Sequence, residues 1–125
     1  MSSAITPVTD HFQPEACEVA ARPVGQALVL RVSGELDLHT APRLHAALDR
    51  HLDAPGDPVV LDLGDVRFLG ASGLQVLVNI NAVVAAQGRR LRVVGSVPVV
   101  LRPIKATGLD RVLEVADTVA AAILR

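Results

Sequence analysis

Residues 61–77 read Leu-Asp-Leu-Gly-Asp-Val-Arg-Phe-Leu-Gly-Ala-Ser-Gly-Leu-Gln-Val-Leu, and this stretch decides the class of fold. Its start belongs to a nearly continuous apolar run, Val59 to Leu63, set between turn signals. That is the pattern of a strand covered on both faces. A loop over Gly64 to Gly70 is expected next. Gly73 to Gln87 then reads as a helix that is apolar on most sides. Leu74, Leu77, Val78, Asn81 and Val84 keep helical spacing, and Val76, Ile80 and Val83 form a second row. Gly88 is a natural stop.

Strand and helix alternate outward from there. Downstream, Leu91 to Val94 reads as a strand with Arg89, Arg90 and Arg92 at its wet edge. Val99 to Ala106 reads as a short helix and Val112 to Val115 as a last strand. A terminal helix over Asp117 to Leu124 is expected, capped by Asp117. Upstream, Thr40 is a good N-cap, Pro42 suits a first turn, and Leu44, Leu48 and Leu52 recur at helical spacing. Pro55-Gly56-Asp57-Pro58 ends that helix. Before it, Cys17 to Arg22 and Ala27 to Ser33 flank the turn Pro23 to Gln26 and suggest a hairpin. Gly34 interrupts, and Glu35 to Leu38 follows as a second short extended piece. The order predicts an α/β domain, with helices packed on a mostly parallel or mixed sheet. Met1 to Pro14 reads as a loose tail, which leaves the domain to residues 15–125.

Composition narrows the function. The chain has 125 residues, half of them hydrophobic, with 12 basic and 13 acidic side chains. That is one domain's length with enough apolar content for a core. The charge balance argues against a chain built for nucleic-acid backbones, where affinity comes from concentrated Lys and Arg. Two Phe, with no Tyr or Trp, leave no stacking platform for single strands or RNA. The lone Cys17 excludes an internal disulfide and a cysteine zinc cluster, and it fits a reducing cytoplasm. There is no secretory signal pattern, and no window holds about 20 apolar residues without polar breaks.

No catalytic set stands out. His11, His39, His45 and His51 lack metal-site spacing, and His45 and His51 read as solvated helix residues. Nucleophile-elbow, phosphate-loop and dinucleotide-binding patterns are absent. Asp62 and Asp65, both near a strand end, could suggest a metal site or an acid/base pair, but no third ligand type is close in sequence.

Ser72 is the most informative residue. It falls at a helix start, at or beside the cap. One reading is that it is that cap, stabilising the helix by about 1 kcal/mol. The other is that it is a modification site. A helix N-terminus carries free N–H donors and the positive end of the dipole, so it accommodates an anion. A phosphate there adds about −1.5 to −2 charges to a surface of small neighbours, Gly70, Ala71 and Gly73.

Four features give the chain a resemblance to the STAS domain family, and within it to the stand-alone anti-sigma factor antagonists of bacteria. They are Gly34-Glu35-Leu36-Asp37 followed by Thr40-Ala41; Val59 to Leu63; Phe68-Leu69 before Ala71-Ser72-Gly73-Leu74; and Gly88 before Leu91 to Val94. Gly108-Leu109 also fits. The match spans Glu15 to Val115.

The resemblance implies a four- or five-stranded mixed sheet with helices mainly on one face, and no catalysis. It implies that the unphosphorylated chain binds an anti-sigma factor, usually a serine-protein kinase, and so frees a sigma factor. Phosphorylation at Ser72 would expel it and a phosphatase would reset it. ATP would belong to the kinase, with no cofactor or metal on this chain. The contact surface would comprise Glu35, Leu36, Asp37, His39 and Thr40 with Gly70, Ala71, Ser72, Gly73, Leu74 and Gln75. For Asp37 a local role, satisfying backbone N–H groups before the helix, is an equal alternative. Gly70 and Ala71 stand where the family pattern has Asp and then Ser or Thr, which leaves Ser72 as the only acceptor in that loop. A second role implied by the resemblance is accessory subunit of a membrane lipid or anion transport complex, with no membrane insertion of its own.

Overall fold

The computed structural model describes residues 17–124; residues 1–16 and 125, and with them the expected tail over 1–14, lie outside it. The elements are β1 (Glu18–Val24), β2 (Ala27–Leu36), α1 (Ala41–His51), β3 (Val59–Leu69), α2 (Ala71–Ala86), β4 (Leu91–Val94), α3 (Pro98–Ala106), a 3-10 turn (Leu109–Arg111), β5 (Glu114–Ala116) and α4 (Val119–Leu124). One five-stranded sheet runs in the order β1-β2-β3-β4-β5. The β1–β2 hairpin is antiparallel and the other pairings are parallel. This is the expected α/β domain with a mixed sheet.

The topology explains the layering. Every parallel step advances one strand in the same direction. Right-handed crossovers repeated that way carry their helices to the same face. There Leu44 and Leu48 of α1, Leu77 and Ile80 of α2 and Ile104 of α3 meet Leu30, Leu61 and Val93 of the sheet. α4 follows the last strand and packs on the opposite face, where Ala122 covers Val29, Val60 and Val94. Helices on both sides explain the unbroken apolar run at Val59 to Leu61.

Several boundaries differ from the sequence reading. Gly34 does not end β2. It takes φ 101° within the strand, and β3 carries one extra residue, Arg67, opposite the Gly34–Glu35 step, so the bulge lies in β3 and β2 continues to Leu36. The loop expected over Gly64 to Gly70 is strand as far as Leu69. Its buried residues, Leu63, Val66 and Leu69, fall three apart because the register shifts against β2, and this hides the usual alternation. The last strand is Glu114–Ala116, and Val112 is exposed. α4 is capped by Thr118, whose Oγ1 accepts the N–H of Ala121 at 3.0 Å, rather than by Asp117.

Two arginines expected in solvent hold the fold together. Arg92 is buried; its guanidinium donates to the Ala122 carbonyl at 2.7 Å and to Glu114 at 3.1 Å. Arg89 donates to the carbonyls of Leu52 (2.6 Å), Ala54 (2.9 Å) and Gly56 (3.0 Å), fastening the end of α1 and its following loop.

Candidate functional site

The two segments singled out in the sequence meet at the C-terminal ends of β2 and β3. These strands run parallel and finish in register, Leu36 beside Leu69. The Gly70 N–H donates to the Leu36 carbonyl at 2.9 Å. The chain leaves β2 through residues 37–40 and leaves β3 straight into α2, so both exits form one shelf.

Residues 37–40 are fixed by their own polar groups. Asp37 Oδ1 accepts the N–H groups of His39 (2.9 Å) and Thr40 (3.0 Å). The Thr40 hydroxyl donates to the Glu35 carbonyl at 2.7 Å and accepts the Asp37 N–H at 3.0 Å. Thr40 is therefore not a side-chain cap of α1; it closes the turn before it. Asp37 takes the local role. The N–H groups it accepts, that of Thr40 first, hold its carboxyl below the ordinary carboxylate value.

The α2 end is set by close approach. A Cβ at Gly73 would fall 2.7 Å from Leu36 Cβ, so only glycine lets the helix start so near β2. Gly70 is the N-cap residue, with extended backbone, and no side chain caps the helix. Ser72 is thus the second helical residue, half-buried, and not the cap. The first helical bond runs from the Leu74 N–H to the Gly70 carbonyl, at 3.0 Å. The N–H groups of Ala71, Ser72 and Gly73 precede it and have no partner within the helix.

Burial sorts the expected contact residues. His39, Ala71 and Gln75 are exposed, and Glu35, Asp37, Gly70 and Ser72 are half-buried. Leu36, Thr40, Gly73 and Leu74 are buried and present little side-chain surface; they frame the shelf.

Two large apolar residues on the shelf escaped the sequence reading. Leu38 is 74% exposed and Phe68 46%. Phe68 packs beside Gly70, where a Cβ would lie 2.9 Å from its ring. Together with Leu69, Pro98, Val99, Arg102 and Pro103 it lines a groove of 450 Å³. A second overlooked feature is readable directly in the sequence: no ionisable side chain occurs between Arg67 and Arg89, so α2 carries no formal charge.

The acid pair considered earlier has other partners. Asp62 accepts the Gly64 N–H at 2.9 Å, and Asp65 forms an ion pair with Arg31 at 2.6 Å. Among the described residues no group of three or more His, Cys, Asp and Glu is placed to hold a metal ion. No helix among them is long and apolar enough to cross a membrane.

The STAS domain family model matches residues 18–122, and the chain belongs to that family. The chain is similar to the anti-sigma-F factor antagonist RsfB of Mycobacterium tuberculosis, 31% identical over 105 residues that cover 84% of this chain and 85% of that protein. An anti-sigma F factor antagonist of Paenibacillus polymyxa is 29% identical over 91 residues, 72% of this chain and 78% of that one. The crystal structure of an anti-sigma factor antagonist from Mycobacterium paratuberculosis superposes with a TM-score of 0.76 at 31% identity, covering 89% of this chain and 94% of that one.

Proposed function

We propose that this protein is an anti-sigma factor antagonist. It binds an anti-sigma factor on the shelf formed by Glu35, Leu38, His39, Gly70, Ala71, Ser72 and Gln75, and phosphorylation of Ser72 ends the contact. The observation that carries the reading is the placement of Ser72. It lies in the first turn of a charge-free helix, beside free N–H groups, on a chain whose relatives over most of its length are named as antagonists. Those relatives favour this role over an accessory role in membrane transport.

The chain acts by binding rather than by chemistry of its own. A partner kinase brings the ATP, and the Ser72 hydroxyl is the acceptor. The dianion formed there repels a partner surface that the neutral helix accommodates, while the helix N-terminus keeps the folded state intact. A phosphatase returns the serine to its binding form.

The test is titration of the purified chain against the anti-sigma factor encoded in the same genome. Wild type and Ser72→Ala should bind alike. Ser72→Glu should bind at least tenfold more weakly with an unchanged circular dichroism spectrum. Equal binding by all three rejects the switch, and no binding by wild type rejects the partner. Incubation with ATP and the anti-sigma factor should label wild type but not Ser72→Ala.

A further inference from the structure

Gly70 is not needed for its backbone. Its φ of −94° and ψ of −177° are extended values that any residue adopts. It is needed for space: a Cβ would lie 2.9 Å from Phe68 Cε2 and 3.3 Å from Phe68 Cζ. Those atoms are the far end of the ring, so a side chain at residue 70 would swing the ring aside and leave the backbone in place. Gly70 thus seats a half-exposed aromatic ring beside the first turn of α2.

That ring is one wall of the groove of 450 Å³ it shares with Leu69, Pro98, Val99, Arg102 and Pro103. Pro98 and Pro103 fix part of the α3 wall through their locked φ. Arg102 is the one charged residue of the lining. It is exposed and makes no ion pair or hydrogen bond among the described residues. Charge along this stretch has one sign. No Asp or Glu occurs between Asp65 and Asp110, a span that supplies every lining residue and also Lys105, one turn beyond Arg102. The acid paired with Phe68 across the strands, Glu35, belongs to the shelf and does not line the groove.

We propose that this groove receives an apolar side chain of the anti-sigma factor with a carboxylate beside it. The inference rests on the reading of the protein as an antagonist and adds a second contact to the shelf, which the groove adjoins at Leu69 and Gly70. The apolar side chain fills the space between Phe68 and α3. The carboxylate pairs with Arg102, whose fork of N–H donors suits it. A wall preset by two prolines loses little freedom on binding. Phe68 and Gly70 then help select the partner, the ring by contact and the glycine by seating it. The competing occupant is a second copy. A two-fold interface uses the same patch on both subunits, which here would set one cationic patch against another.

Titration of full-chain variants with the anti-sigma factor encoded in the same genome tests this. Phe68→Ala and Arg102→Glu should each bind at least tenfold more weakly than wild type, with unchanged circular dichroism spectra. Gly70→Ala should weaken binding in the wild-type background and add nothing in the Phe68→Ala background. An equal further loss there overturns the seating of the ring. Wild-type affinity in either Phe68→Ala or Arg102→Glu overturns the groove; if Ser72→Glu is still weakened, the shelf reading stands without it. Absence of binding by wild type overturns both. Self-association that Arg102→Glu abolishes while affinity for the anti-sigma factor is kept, read by sedimentation, also overturns the proposal and assigns the groove to a second copy.

Discussion

Gly73 and Leu36 touch where no side chain would fit. A Cβ on Gly73 would sit 2.7 Å from Leu36 Cβ, 2.8 Å from the Leu36 carbonyl oxygen and 2.9 Å from Leu69 Cδ1. One of these neighbours is backbone, so the first turn of α2 must move if a methyl is added. Gly73→Ala is expected to cost about 1–3 kcal/mol, the usual penalty for overpacking. Urea denaturation measures it. Because Ser72 rides on the same turn, partner affinity should fall as well. A wild-type urea midpoint would refute the contact.

Thr40→Val keeps the volume and removes the hydroxyl. The half-buried Glu35 carbonyl and Asp37 N–H then lose their shared partner. The expected loss is about 1–3 kcal/mol. Thr40→Ser retains the hydroxyl and should recover most of it, which separates the hydrogen bonds from the lost methyl.

Asp37 predicts an acid limb. Its folded carboxyl lies below the ordinary value of 3.8, chiefly through the Thr40 N–H. The unfolded chain therefore takes up the proton first as pH falls. The stability this group contributes is full above about pH 4–5 and disappears as pH drops through the folded value. Asp37→Asn should flatten that part of the stability–pH curve and leave the neutral region's slope unchanged. Denaturant midpoints between pH 7 and pH 2.5 give the comparison.

Arg89 spans three carbonyls with one planar group, a geometry that an ammonium does not reproduce. Arg89→Lys should lose about 1–2 kcal/mol, and Arg89→Met roughly 2–3 kcal/mol. Exchange of the amides at Leu52 to Ala54, whose bonds close the end of α1, should quicken in both variants.

Leu38 separates binding from folding. Its side chain is largely in solvent, so Leu38→Ser should leave stability within about 0.5 kcal/mol of wild type. Binding to the anti-sigma factor should weaken about tenfold, near 1.4 kcal/mol, if this apolar side chain anchors the contact. Calorimetry of wild type and variant checks both halves.

The sequence disclosed the parts of the fold that depend on periodic apolar residues. Leu44, Leu48 and Leu52 announced α1, and Val59 to Leu63 announced a strand covered on both sides. It concealed parts that depend on distant pairing. β3 looked like a loop after Leu63 because its register slips against β2, spacing Leu63, Val66 and Leu69 three apart. Arg92 looked like a wet residue because its acceptors, Ala122 and Glu114, come much later in the chain. The shelf was legible as two segments through their local turn and helix-start signals. Which of its residues face outward was not, since burial of Thr40 and Gly73 and exposure of Phe68 follow from how β2, β3 and α2 meet.

The charge-free run between Arg67 and Arg89 has a consequence for the way a modified state differs from an unmodified one. Where a helix already bears several ions, one more alters a field that salt and neighbours have largely averaged out. On α2 the baseline of formal side-chain charge is zero, so a dianion at residue 72, if the proposed phosphorylation occurs, would write its mark on a blank page. Under the proposed phosphorylation, the contrast between the two states would rest on that covalent event alone, because α2 holds no titratable side chain whose change of protonation could imitate it.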